Sequence, residues 1–293
     1  MRKLLPIILV AAVIAAGFYI GRARFVREVK PVGPVLTIAC LDATLGNAIV
    51  VKTPENYFMV VDPGPANTAG ALVRYLEDAG AKSLVILLSK SSSDHTGAIS
   101  SLLDSFTVSK IIHGEYKAKS SLVRRTLTSV IGKGAIERIS SAGDVFNISP
   151  TTKLEVLSPP KGLLKKTGGH SDNNSLVTRI HFGGKRFLLA SDIRLEAEAN
   201  LIQSGVDLRS SVLVVPRHGR YGGTSLELLS VVRPEAYVVL LDRSSNRASR
   251  AVLERIDTRN TGAAVYRTDL DGNIEMITDG RSIKVNTSGS YGD

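Results

Sequence analysis

Leu87 to Ile99 reads LLSKSSSDHTGAI, and the fold turns on how this stretch is parsed. The run SLVILLS that enters it is a buried strand, and TGAISSLLDSF, which leaves it, has the apolar spacing of a helix. Asp94 and His95 thus stand where a strand stops and a helix starts, a place from which side chains reach a cleft without disturbing the core. The stretch ends as a metal-binding turn does, yet Lys90 and three serines stand where such a turn is rich in histidine.

Upstream, VLTIACL, NAIVVKT and YFMVVD are short β-rich runs, the last two separated by the turn residues Pro54, Glu55 and Asn56 as in a hairpin. LVRYLEDAG has helical spacing and stops at Gly80; downstream, VSKIIHG is a strand and SLVRRTLTSVIGKG a basic helix. A second half repeats the style. TKLEVLSP, NSLVTRIHFGG and KRFLLASD read as strands; LEAEANLIQSG, SVLVVP, SLELLSVV, AYVVLL and ASRAVLERI alternate helix and strand; AVYRTD and NIEMITDG form a last hairpin. Two comparable halves, each a sheet with helices outside, predict an α/β fold of four layers, an αββα sandwich. Strand ends on one edge then gather Asp62, Ser89 to His95, Asp192 and His218 into one cleft.

The 293 residues are 43% hydrophobic, enough for one large core, and carry a formal charge of +10. Leu4 to Gly21 is an uncharged apolar run with Arg2 and Lys3 before it and Arg22, Arg24, Arg27 and Lys30 after it. Its length suits one N-terminal transmembrane helix, and the poor small-x-small site behind it favours an uncleaved anchor over a signal peptide. Basic flanks on both sides leave the orientation open. A bacterial cell-envelope protein with its domain outside the cytoplasm is the expectation. It comprises an anchor or uncleaved signal at 1–30, the sandwich domain at 31–285 and a flexible tail at 286–293. Six basic residues and one acid lie in the first 30, and the other 31 basic and 26 acidic residues leave the remainder mildly basic. That permits a polyanionic partner without demanding one. The lone Cys40 excludes an internal disulfide and a thiolate zinc cluster, and the absence of Trp argues against a stacking platform for single strands.

Four features occur in fixed order: VVDPGP with Asp62, SKSSSDHTG, LLASDI with Asp192, and VVPRHG with His218. In these the chain resembles the metallo-β-lactamase superfamily, whose signature turn is H-x-H-x-D-H, and within it the hydrolase-like domain of ComEC-type DNA-uptake proteins. CLDATLGNAIVV is similar to that group's LDVGQGDA, NNSLVTRIHFGGKRFLLASDI to its NSLVLRL and LLTGDI, VLVVPRHG to its VLKVPHHGS, and VYRTDLDGNIEM to its YRTDxDGTI. The resemblance implies metal-assisted hydrolysis, with two divalent cations clamping a phosphodiester or an ester. It assigns Asp94, His95, Asp192 and His218 to a metal, gives Asp62 an orienting role, and puts Asp62, Lys90 and Asp94 at catalytic positions. Lys90 and Ser92 fill the first two histidine positions, and neither replaces an imidazole, so the first cation site is lost. Arg217 takes the place of one histidine of HHG, and Asn47 that of an acidic residue.

What remains is one divalent cation, zinc or manganese, or none. Lys90 or Arg217 would pair with Asp94 or Asp192 as a fixed charge in place of the lost cation. Asn174, Ser175, Arg217, Arg220 and His170 are the substrate-side candidates. The structural alternative has Asp94 capping the helix near Thr96, His95 packed beneath it, and Asn174 and Ser175 pinning a loop. Two functions follow. One is a membrane-anchored ComEC-like hydrolase of DNA or another phosphodiester, with eroded activity and a membrane channel partner for transport. The other is a pseudoenzyme that binds DNA, a nucleotide or a protein partner through the former cleft.

Overall fold

The computed structural model describes residues 32–42, 47–115, 121–241, 248–258 and 262–289. The apolar segment expected to be an anchor lies outside the described residues, and among those described no helix is long and apolar enough to cross a membrane.

The first apolar runs form an antiparallel meander, β1 (Leu36–Cys40), β2 (Ala48–Lys52) and β3 (Phe58–Pro63). The hairpin between β2 and β3 closes at Pro54 to Asn56, with Asn56 at φ 60°. Helical connections then make the next strands parallel, since a crossover must carry the chain back before each one. In chain order these are α1 (Ala69–Asp78), β4 (Ser83–Leu88), α2 (Ser93–Thr96), α3 (Ile99–Ser105), β5 (Thr107–Gly114), α4 (Ser121–Gly132) and β6 (Ile136–Ser140). The second sheet repeats the plan. Strands β7 (Val145–Asn147), β8 (Thr152–Ser158), β9 (Val177–Phe182) and β10 (Lys185–Leu189) are antiparallel, with α5 (His170–Asn173) between β8 and β9. Next come α6 (Leu195–Gln203), β11 (Val212–Val214), α7 (Leu226–Val232), β12 (Ala236–Val239), α8 (Arg250–Thr258) and β13 (Ala264–Arg267), with parallel pairing from β10 to β13.

Burial divides into three apolar layers, which define four layers of structure. Ile38, Met59 and Leu87 of one sheet meet Ile180, Phe187 and Val214 of the other. Leu72, Leu102 and Val130 of the helices cover the outer face of the first sheet at Val60 and Ile86. Ala197, Leu228 and Val252 do the same for the second at Leu188 and Leu213. The αββα arrangement is therefore present.

Three local expectations change. AVYRTD and NIEMITDG do not form a hairpin: β13 ends the second sheet, whereas β14 (Ile274–Thr278) crosses to the first and pairs antiparallel with β1, from Leu36 opposite Thr278 to Cys40 opposite Ile274. The closing hairpin is β14 with β15 (Ile283–Thr287), which runs through residue 285. The helix expected over 96–106 is two helices, because the chain bends at Gly97, where a Cβ would lie 2.5 Å from the Ala66 amide nitrogen and 2.7 Å from the Ser93 carbonyl oxygen.

Cys40 is fully buried on β1, and burial pushes its thiol up to about 12. The native chain should leave a disulfide reagent unreacted at mildly alkaline pH, and the denatured chain should release one equivalent. Fast native reaction would contradict this placement.

Candidate functional site

Asp62, Ser89, Ser191, Arg217 and His218 all lie at or just past the C-terminal ends of parallel strands β3, β4, β10 and β11. In mixed and parallel sheets this edge is where ligands bind, because the connecting loops splay apart there. Four of these residues have left-handed backbones: Asp62 (φ 52°), Ser191 (φ 50°), Arg217 (φ 56°) and His218 (φ 56°). For residues with a Cβ each costs about 1 kcal/mol or more, and such strain gathers where side chains must be aimed.

The centre is Asp62, 1% exposed. Its Oδ1 accepts the Ser89 N–H at 2.7 Å, and its Oδ2 accepts the Ser89 hydroxyl at 2.5 Å and the His95 Nδ1–H at 2.9 Å. The Ser191 hydroxyl lies 2.6 Å from Ser89 Oγ and completes the chain between the two sheets. Because a carboxylate can only accept, His95 carries its proton on Nδ1 and turns Nε2 toward Asp192, 3.4 Å from Oδ2. Burial opposes a charged His95, but Asp62 and Asp192 outweigh it and push the ring up to about 10. His218 is aimed by the same logic: its Nδ1–H donates to the Leu240 carbonyl at 3.0 Å, leaving Nε2 3.7 Å from Asp192 Oδ1. Its pKa is lowered, first by burial and then by the charges of His95 and Arg220 against that of Asp192.

Lys90, 12% exposed, bridges two acids, with Nζ 2.7 Å from Asp192 Oδ2 and 2.6 Å from Asp172 Oδ1. Burial works against both charges of the Lys90–Asp192 pair. The two carboxylates nevertheless raise the Lys90 pKa, while His95 and Lys90 hold Asp192 well below its usual range. The fixed charge expected at Lys90 therefore pairs with Asp192, not with Asp94. Arg217 meets neither of those acids; its Nη1 binds Asp172 Oδ2 at 2.7 Å.

A cation in the remaining half-site fits the residues present. His95, Asp192 and His218 each offer one atom, all within 4.8 Å of one another. Both imidazoles have Nδ1–H tied to an acceptor and so present Nε2 as the ligating nitrogen, which on His95 must first give up the proton that its raised pKa holds there. His95 Nε2 and Asp192 Oδ1 are buried without a hydrogen-bond partner, at a cost of about 1–3 kcal/mol each that a ligand would relieve. Two imidazoles and a carboxylate also form a recognised zinc donor set. At the two positions aligned with the family's first histidines stand the Lys90 ammonium and the Ser92 hydroxyl, the latter buried with no hydrogen-bond partner among the described residues, and neither is an imidazole ligand.

Asp94 stands apart from this trio. Its side chain is 42% exposed and its Oδ2 is 3.9 Å from His95 Nε2. It sits inside the first turn of α2, whose N-cap is Ser92 with no side-chain cap bond, so the expected capping role does not occur. Asn174 and Ser175 are buried and pin the loop. Asn174 Oδ1 accepts the Leu164 N–H at 2.7 Å, its Nδ2 donates to the Leu164 and His170 carbonyls, and the Ser175 hydroxyl donates to the Asp172 carbonyl. Neither opens on the cleft as a substrate contact, because those bonds consume their polar atoms. His170 is exposed next to them. Arg220 is half-buried with Nε unpartnered. Sequence reasoning missed Asp172, Arg194 and Ser191 and placed Ser89 in the cleft without a role; no local pattern marks Asp172 as the acid that Lys90, Arg194 and Arg217 share.

Residues 41–243 match the Metallo-beta-lactamase superfamily, and the chain belongs to that family. A curated relative, ComE operon protein 3 of Bacillus subtilis (strain 168), is 25% identical over 208 residues, which is 70% of this chain and 26% of that protein. The chain thus spans about a quarter of the length of the relative it matches. Zn(2+)-bound PqqB from Methylobacterium extorquens superposes with a TM-score of 0.54 at 11% identity, over 80% of this chain and 97% of that one. CmlA, a diiron beta-hydroxylase from Streptomyces venezuelae, gives 0.54 at 11% identity over 84% and 55%. At such identities the two structures show a shared fold.

Proposed function

We propose that the chain is a ComEC-like protein of the bacterial cell envelope, anchored by its N-terminal apolar segment with the domain outside the cytoplasm. In this reading it keeps a single divalent-cation site, zinc or manganese, at His95, Asp192 and His218, and has replaced the other cation by the Lys90 ammonium. The observation that carries it is the pair of buried, unpartnered ligand atoms, His95 Nε2 and Asp192 Oδ1, facing His218. Bound there, a cation would act as Lewis acid and lower the pKa of a water. The chain's own residues do the rest. Asp62 fixes the His95 tautomer, Leu240 fixes that of His218, Lys90 holds Asp192, and the exposed Asp94 carboxylate is the nearest group open to accept a proton from solvent. With half of the family's cations, hydrolysis of DNA or another phosphodiester is weak, and DNA transport would depend on a membrane channel partner.

A second reading is favoured by one specific observation: Lys90 and a protonated His95 already neutralise Asp62 and Asp192. The domain would then be a pseudoenzyme that binds a ligand in the cleft without a metal. The two readings separate on zinc titration of chelator-stripped protein against a chromophoric chelator. Binding at Nε2 must displace the His95 proton, so affinity should rise by up to about tenfold per pH unit from about pH 6 to about pH 9. It should vanish in His95→Ala, and turnover of a bis-nitrophenyl phosphate should follow it. Zinc binding that ignores pH and His95 would leave the pseudoenzyme reading.

A further inference from the structure

The most heavily charged contact in the cleft lies beside the metal ligands rather than among them. Asp172, on the one-turn helix α5, takes four charged contacts. Its Oδ1 accepts from Lys90 Nζ at 2.6 Å, and its Oδ2 accepts from Arg217 Nη1 at 2.7 Å and from Arg194 Nε and Nη2 at 2.8 and 2.6 Å. Three N–H groups on one carboxylate oxygen exceed the roughly two lone-pair directions it offers. The cations outnumber what a carboxylate can satisfy, and the Arg217 Nε is buried with no hydrogen-bond partner among the described residues. Their spacing suits an anion with more oxygens, and planar guanidinium forks are the usual receptors of phosphoryl groups. Other elements hold this cradle open: Lys90 follows β4, Arg194 precedes α6, and Arg217 follows β11, strained into the left-handed region. Asp172 arrives separately, on the turn behind Gly168 and Gly169.

We propose that Lys90, Arg194 and Arg217 form a subsite for a tetrahedral phosphoryl oxyanion, and that Asp172 fills it as an internal anion in the state seen here. The carboxylate is then an autoinhibitory plug that a phosphate must displace. The inference deepens the phosphodiester reading and rests on it only for the identity of the ligand, because the cradle is built whether or not a cation binds at His95.

The test is calorimetric titration of the full chain in detergent, stripped of metal, with inorganic pyrophosphate, so that anion binding is read apart from metal content. Asp172→Asn should bind pyrophosphate at least about tenfold more tightly than the wild type, and adding Arg217→Gln should reverse the gain. Equal affinities in wild type and Asp172→Asn, or tight binding that survives Arg217→Gln, would overturn the proposal. If Asp172→Asn does not fold, the wild type decides: Arg217→Gln alone must weaken its pyrophosphate binding several-fold, and no change rejects the subsite. A dinucleotide run in parallel separates sources. Binding of both ligands supports a phosphodiester site, whereas pyrophosphate alone supports the oxyanion subsite and removes the phosphodiester reading.

Discussion

Asp62→Ala should cost the chain about 3–5 kcal/mol in a urea unfolding experiment, the range for removing one partner from a buried, hydrogen-bonded charge pair. Three donors lose their acceptor at once: the Ser89 amide, the Ser89 hydroxyl and His95 Nδ1. Alanine also sits less easily than aspartate at the φ of 52° that this position requires. Asp62→Asn should cost less, since the amide oxygen still accepts one of these bonds, but it should lose zinc as Asp62→Ala does, because the His95 tautomer is no longer held. A loss below about 1 kcal/mol for Asp62→Ala would mean that this network contributes little to the fold.

Lys90→Met should have the second large effect, about 2–4 kcal/mol, for a related reason. Without the ammonium, Asp172 keeps its two arginines but Asp192 is left with the histidines alone. Because the deficit is one of positive charge, a divalent cation should repair it. Excess zinc should raise the melting temperature of Lys90→Met by more than it raises that of the wild type. A variant as stable as the wild type without metal, or one that zinc does not help, would show that Lys90 does not stand in for a cation.

Much of the sandwich was legible because its strands are apolar and bounded by turn residues. YFMVVD, SLVILLS, KRFLLASD and SVLVVP each announce a buried strand, and the next polar residue of each falls in the cleft. The reach of β14 back to β1 was not legible, since pairing between residues more than two hundred positions apart leaves no local pattern. Strands β6 and β7 are short edge strands in which apolar residues such as Ile136, Ile139 and Val145 are exposed, so the pattern of IERIS and VFN does not follow burial. In the site, Asp62, His95, Asp192 and His218 could be read from their positions near strand ends, and charge alone called for a partner to Lys90 but left Asp94 and Asp192 as equal choices until the 2.7 Å contact with Asp192 decided between them. Asp172 could not: in GGHSDNN it looks like any loop aspartate until three cations from three other segments are placed around it. The hydroxyls of Ser89 and Ser191 were equally silent, because serine beside a strand end is ordinary and only their separation of 2.6 Å makes them a link.

On the proposed reading, the fold keeps one cation site and has exchanged the other for Lys90. Elemental mass spectrometry of the full chain, purified without chelator and without a histidine tag, tests it most directly. About one zinc or manganese per chain, absent from His95→Ala, is the predicted result. About two per chain would contradict the exchange, and substoichiometric metal in the wild type would contradict the site that His95, Asp192 and His218 are held to form.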